Sequence, residues 1–230
     1  MRRWAWVKAA LLVLALVGAV WGVLAWLVSR EPDWYARAAA VAPQADDPAV
    51  AYDTQTRLSE LLLAISEPVT VTEPGEWQFS FSPDELNAFL REDDDRVMIL
   101  RPKWDNVTDL RVGVDGDRLR VGARVWRGAA SAVMSVELRV WLVAGEPNTI
   151  GVELVDVRQG GLPWFKRWLM DSMTAFAAKH DAEVQWYRGA TNPVGICRLR
   201  VSQSQPDLSL SAVEVASGRL TVSGRALVGR

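Results

Sequence analysis

Leu110-Arg111-Val112-Gly113-Val114-Asp115-Gly116-Asp117-Arg118-Leu119-Arg120-Val121-Gly122-Ala123-Arg124-Val125 is the stretch whose reading decides the fold. Leu110, Val112 and Val114 alternate, Asp115-Gly116 marks a turn, and Leu119, Val121, Ala123 and Val125 alternate on the return. A period of two sends successive side chains to opposite faces, so the pattern predicts two half-buried strands joined as an antiparallel hairpin. Two more strands follow, one with Val136, Leu138, Val140 and Leu142 and one with Ile150, Val152 and Leu154; Gly145, Pro147 and Asn148 supply the turn between them. Short connections between consecutive strands predict an antiparallel sheet with one apolar and one wet face.

Downstream, Gly160-Gly161-Leu162-Pro163 breaks the sheet and opens the longest helix outside the N-terminal region, from 163 to about His180. Phe165, Leu169, Met173, Phe176 and His180 recur at helical spacing, with Trp164 and Trp168 beside them, in one apolar, aromatic-rich stripe. Strands return around Glu183 to Tyr187, Val194 to Val201, Leu208 to Val215 and Leu220 to Val222. The run Gly218 to Gly224 echoes Gly116 to Gly122, which reads as the same hairpin return used twice. The last strand, ending in Ser223-Gly224-Arg225, reads as an exposed edge open to strand addition.

Upstream of the hairpin, Asp47 caps and Pro48 starts a helix that ends before Pro68. Trp77, Phe79 and Phe81 then mark a strand that runs into a short helix. That helix has a full start signal: Ser82 as cap, Pro83 in the first turn and Glu85 as the return partner of a capping box.

The N-terminal region sets the location. Ala9 to Val28 is an uncharged apolar run of twenty residues. As a helix at about 1.5 Å per residue it reaches roughly 30 Å, the thickness of a bilayer's hydrocarbon core. Trp4, Trp6, Trp26, Trp34 and Tyr35 fall where the two headgroup belts would lie. Arg2, Arg3 and Lys8 precede the run and Arg30 and Arg37 follow it, a bias that favours a cytoplasmic N-terminus. The competing reading is a cleaved signal peptide, whose apolar region is about 7 to 15 residues with a cleavage site close behind. Here the next small-residue site, Ala38 to Ala40, lies beyond Pro32, so an uncleaved anchor is favoured. The expected organisation is a cytoplasmic segment 1–8, a transmembrane helix 9–28, a tether 29–47 that lets the domain stand off the membrane, and an extracytoplasmic domain 48–230. Gly18 and Gly22 carry the small-residue spacing that brings two membrane helices close, a route to a weak homodimer. The fold class expected is α+β: the N-terminal transmembrane helix, then a curved antiparallel sheet with one long amphipathic helix packed on its concave face.

Charge and motif content narrow the function. After residue 28 the chain holds 23 basic and 28 acidic side chains, which gives no electrostatic footprint for nucleic acid. Cys197 is the only cysteine, so no intramolecular disulfide forms and the core must hold the domain. His180 is the only histidine, which leaves no multi-histidine metal site; it reads as a helix C-terminal residue. Cys197 alternates in phase with Leu199 and Val201 and reads as a core thiol rather than a nucleophile. The acidic run Glu92 to Asp95 lacks the ligand spacing of a calcium loop. Asn106-Val107-Thr108 fits a glycosylation acceptor only in an exported eukaryotic protein. No nucleophile elbow, phosphate loop or dinucleotide fingerprint is present, so no catalytic residue, metal or cofactor is expected.

An N-terminal anchor, an aromatic strand running into Glu85-Leu86-Asn87-Ala88-Phe89-Leu90, and Val157-Arg158-Gln159-Gly160-Gly161-Leu162-Pro163 before a helix together resemble single-pass bacterial membrane proteins of the YpmS-like family and similar anchored proteins of planctomycetes. Where that pattern has a smaller apolar residue after the Leu-Pro pair, this chain has Trp164. The resemblance implies an extracytoplasmic domain without known cofactor or catalytic residues, so no functional residue is carried over.

Two non-enzymatic readings follow. In one, Trp164, Phe165, Trp168, Leu169, Met173 and Phe176 line a groove for a lipid or other apolar envelope molecule. In the other, the protein is a structural or assembly partner of envelope proteins without a small ligand. The plain alternative for the stripe is core packing, and it is favoured. On that reading, Trp168→Ala costs about 3 to 5 kcal/mol and lowers the urea midpoint sharply, whereas an unchanged midpoint points to a groove.

Overall fold

The computed structural model describes residues 19–40, 48–66, 75–91, 106–179, 182–199 and 208–226. Residues 9–18 of the predicted span, Gly18 among them, lie outside the described residues, as do 41–47, the acidic run 92–95 and His180. Residues 19–29 are helical (α1). There follow α2 (Asp33–Ala40), α3 (Pro48–Ser66), β1 (Gly75–Phe81), α4 (Pro83–Arg91), β2 (Val107–Asp115), β3 (Arg118–Arg127), β4 (Ala130–Leu142), β5 (Thr149–Gln159), β6 (Leu162–Pro163), α5 (Lys166–Lys179), β7 (Ala182–Arg188), β8 (Pro193–Leu199), β9 (Leu208–Ala216) and β10 (Arg219–Ala226).

The strands form a seven-stranded sheet in the order β2-β3-β4-β5-β8-β7, with short β6 also on β5, and a three-stranded sheet in the order β1-β10-β9. Every pairing is antiparallel, so the α+β class with an antiparallel sheet holds. In the deciding hairpin Asp115 pairs with Arg118 across Gly116 and Asp117. Gly116 has φ +61°, as the first central residue of a type II′ turn requires. The echo at the C-terminus is also a hairpin, between β9 and β10, but its turn puts both Ser217 and Gly218 at positive φ.

The two faces of the large sheet differ in chemistry. On one, Phe89, Leu90 and Val112 form a buried cluster with Leu58, Leu86, Leu110 and Leu119 packed against it, so α3 and α4 close the apolar side of β2 and β3. Strand β9 packs against β4 and buries Leu210, Val213 and Val215, which brings the small sheet onto the large one. Away from this core run cross-strand ion pairs: Arg118 with Glu137 at 3.0 Å, Arg120 with Asp115 at 2.7 Å and Arg139 with Glu153 at 2.9 Å. Such partly solvated pairs contribute about 0 to 1 kcal/mol each, so they serve register more than stability. Trp77, Trp141 and Trp186 each lie over the glycine directly opposite on the neighbouring strand, Gly224, Gly151 and Gly195, where the absent Cβ admits the indole.

The capping box forms as read. Ser82 N–H donates to Glu85 Oε2 at 2.6 Å and Glu85 N–H to Ser82 Oγ at 3.2 Å. Glu85 also accepts from Arg57 at 2.5 Å, tying α4 to α3, and the cap bonds and Arg57 hold its pKa below the usual carboxylate range against the opposing effect of burial.

Three expectations need correction. Strand β10 is not an exposed edge: it lies between β1 and β9, with Trp77 opposite Gly224 and Phe81 opposite Leu220. The backbone ladder with β1 gives β10 a second partner. Helix α5 has 14 residues to the 19 of α3, and it lies mainly against edge strand β7 rather than along a concave sheet centre. Residues 33–40 of the predicted tether are helical and docked on the sheet.

Strand β2 is a sheet edge, and Asn87 stands in for the missing neighbour. Its Oδ1 accepts the Val112 N–H at 2.7 Å and its Nδ2 donates to the Val112 carbonyl at 2.9 Å, with the residue only 4% exposed. Asn87→Leu keeps the volume but strands both backbone groups, each at a cost of about 1 to 3 kcal/mol. The expected outcome is a clearly lower urea midpoint for the detergent-solubilised chain at unchanged m; an unchanged midpoint would contradict this role for Asn87.

Candidate functional site

The site grows from the end of α1. Helix ends leave carbonyls unpaired, and the Leu27 carbonyl finds a partner across the chain in the Gly161 N–H at 2.7 Å. Gly160, at φ +59°, sits so close to the carbonyls of Leu27 and Val28 that a side chain there would collide with backbone. The Gly-Gly pair that interrupts the sheet thus receives the end of the apolar helix. Its neighbours fix the pair: Gly160 N–H donates to the Val133 carbonyl at 2.7 Å, and Trp164 N–H to the Val157 carbonyl at 2.7 Å.

The chain then turns at Pro32, whose carbonyl accepts from the N–H groups of Tyr35 and Ala36 and starts α2. Asp33 lies in the first turn and Arg37 in the last, each complementing the helix dipole. Trp34 and Tyr35 pack edge to face and cover Gly113 and Gly122 on the outer face of β2 and β3. A Cβ on Gly122 would lie 2.9 Å from both rings. Tyr35 is 1% exposed and its hydroxyl donates to the Asp109 carbonyl at 2.5 Å. Burial, aided by the Asp109 carboxylate, pushes the Tyr35 hydroxyl up to about 12. Glu31 hydrogen-bonds Arg124 and raises the guanidinium's pKa further, while Arg124 reaches Asp109 at 3.5 Å.

Between this elbow and the outer face of β3, β4 and β5 lies a cavity of about 550 Å³. Leu27 and Gly160-Gly161 form its wall on the side of α1. Four arginines and four carboxylates line it, a balanced set. Sequence reasoning missed it because Arg30 to Arg37 read as tether. The available signal was Gly113 and Gly122, which interrupt the polar face of two strands and mark a close approach by another element.

The predicted groove residues are brought together only in part. Phe165 is 77% exposed, Trp168 45%, Phe176 43% and Trp164 37%, whereas Ala177 is the buried residue of α5 and Leu169 and Met173 are half-buried. The favoured core reading of the aromatic stripe is overturned, because α5 turns its small and aliphatic side toward the protein. No enclosed groove replaces it among the described residues; Trp164, Phe165, Trp168 and Phe176 form an open ridge instead. Trp164 and Phe165 meet in an edge-to-face contact, three and four residues after the Gly161 that holds Leu27. Lys166 is turned inward, its Nζ donating to the carbonyls of Leu154 and Val155 and to Asn192 Oδ1.

Helix α1 is apolar all round and uncovered: Val20, Trp21, Val23, Leu24 and Trp26 are 38 to 68% exposed. Among the described residues no helix is long and apolar enough to cross a membrane; the predicted span continues into residues outside them. Nothing lies within 4 Å of a Cβ built on Gly22. Cys197 is half-buried on β8 and burial pushes its thiol pKa up. Asn106 donates to the Trp126 carbonyl, and the Trp126 indole to Thr108 Oγ1, so this triplet closes the open end of the β2–β3 hairpin. Among the described residues no group of His, Cys, Asp and Glu is gathered to hold a metal ion. Comparison with family models, with curated proteins and with solved structures finds no match to this chain.

Two outcomes follow. Because Trp168 is half exposed, Trp168→Ala should cost well under the about 3 to 5 kcal/mol of a buried aromatic, with a urea midpoint close to that of the parent; a collapse of the midpoint would restore the core reading. Tyr35 has its folded pKa raised from 10.0 to about 12, so its contribution to stability is complete below about pH 10 and is lost as pH rises toward 12. Unfolding midpoints measured across that window should fall less steeply for Tyr35→Phe than for the parent, and equal slopes would contradict a buried, docked Tyr35.

Proposed function

We propose that the chain is a non-enzymatic, membrane-anchored protein of the cell envelope. Its N-terminus is cytoplasmic and its domain lies on the other side, held against the bilayer so that the ridge of Trp164, Phe165, Trp168 and Phe176 engages lipid. The observation that carries this reading is the Gly161 to Leu27 hydrogen bond. It joins the end of an uncovered apolar helix to the turn from which the aromatic ridge starts, so both apolar surfaces meet at one end of the domain. A helix apolar on every side needs either a protein core or a lipid environment, and α1 has no core around its exposed side chains. Indole rings favour the interface, where one end is apolar and the other wet. The YpmS-like resemblance is compatible with this reading. The alternative of an assembly protein no longer has an exposed β10 to work through, and keeps the outer strands β1, β9 and β7.

Alkaline carbonate extraction of cell membranes should leave the chain in the pellet. In vesicles containing brominated lipid, tryptophan quenching should drop when Trp164 and Trp168 are both replaced by phenylalanine. Release of the chain by carbonate would contradict the anchor; quenching equal to that of the parent would contradict contact of the ridge with lipid.

A further inference from the structure

The cavity beside the elbow has features of a binding site that the aromatic ridge does not use. Two of its arginines are already committed: Arg120 to Asp115 and Glu137, and Arg158 to Asp156 at 2.5 Å. Arg30 and Arg37 are different. Among the described residues neither has a carboxylate within ion-pair distance; Arg30 lies over the Trp26 ring and Arg37 donates to the backbone carbonyl of Asp33. A pair of guanidinium groups with donors to spare is the arrangement that chelates a phosphate oxyanion. The rest of the lining argues against a bare anion. Asp33, the one lining carboxylate with no cation within ion-pair distance among the described residues, also faces the space, and the eight charges of the lining cancel, so there is no net positive field to concentrate a simple phosphate. The complementary ligand carries both signs: a phosphodiester for Arg30 and Arg37, and an ammonium for Asp33.

We propose that this cavity binds the headgroup of a zwitterionic phospholipid, of the phosphoethanolamine class. The source follows from the cavity wall. Leu27 and Arg30 line it, so the space lies beside the C-terminal end of α1, and acyl chains attached to a bound head would run along the exposed Val20, Val23 and Leu24. This rests on the membrane reading of α1 and adds a defined lipid to it. The two fail separately: carbonate extraction reports the anchor, whereas head-group binding to the detergent-solubilised chain does not depend on how the chain sits in a membrane.

The test uses the full chain, delipidated in detergent and incubated in separate arms with phosphatidylethanolamine, with phosphatidylglycerol, and with phosphatidylethanolamine plus excess inorganic phosphate; retained lipid is read by native mass spectrometry. Phosphatidylethanolamine should be retained as a single molecule per chain, in preference to phosphatidylglycerol and undisturbed by inorganic phosphate. Replacing both exposed arginines, Arg30→Ala with Arg37→Ala, should lower retention by about tenfold or more, since each loses charge-assisted hydrogen bonds. The urea midpoint of that variant should match the parent and so separate lost binding from lost folding. Equal retention by the variant, equal retention of phosphatidylglycerol, or displacement by inorganic phosphate would each overturn the proposal.

Discussion

The Gly161 N–H and the Leu27 carbonyl are 2.7 Å apart, and the arrangement of both ends of the molecule depends on that contact. A helix that stops inside protein must find partners for its last carbonyls, and one that stops at a flexible tether leaves them to water. Here the partner is a backbone group in a glycine pair with no side chain to hold α1 away. Gly160 takes a left-handed conformation, which a residue with a Cβ would adopt only under strain, and the adjoining carbonyls leave no room for one. The contact therefore constrains direction: α1 leaves the sheet at the β5–β6 turn.

From there the elbow is held by unlike terms of unequal weight. Burial of Tyr35 and of much of Trp34 against Gly113 and Gly122 removes aromatic surface from water and supplies most of the docking energy. The Tyr35 hydroxyl is satisfied by a backbone carbonyl, so burying it leaves no unpaired donor. The Glu31–Arg124–Asp109 ion pairs are partly solvated and contribute less, but they select one orientation of the turn. A strap held this way leaves a cavity beside it because α2 covers the glycine side of β2 and β3 and stops short of β5. Helix α1, the cavity and the start of the aromatic ridge then share one end of the domain, and the proposed contact with lipid rests on that arrangement.

Most of the strand inventory was legible because period-two alternation and turn residues are local signals. Leu110 to Val125 and Val136 to Leu154 became β2 to β5, and Ser82-Pro83-Asp84-Glu85 became a capped helix start with the expected reciprocal bonds. What pairing alone could not reveal was non-local. Nothing in Trp77 to Phe81 says that its partner is β10, more than a hundred residues away, so the last strand looked like an edge. The stripe on α5 is periodic as expected but not core, since periodicity identifies a face without saying what covers it. The elbow was missed for a similar reason: Pro32 and the alanines of 36–40 suggest a linker, and only the glycines at 113 and 122 record that an aromatic pair lands on them.

A direct test of the central claim is the distance between α1 and the sheet in the full chain reconstituted in lipid nanodiscs. Spin labels introduced by Val23→Cys on α1 and Ser131→Cys on β4, in a Cys197→Ser background, report that distance by pulsed electron resonance. A rigid elbow predicts one narrow distance distribution, broadened when Gly161→Pro removes the N–H that holds Leu27. A broad distribution in the parent, unaltered by that substitution, would contradict it and return residues 29–40 to the role of a flexible tether.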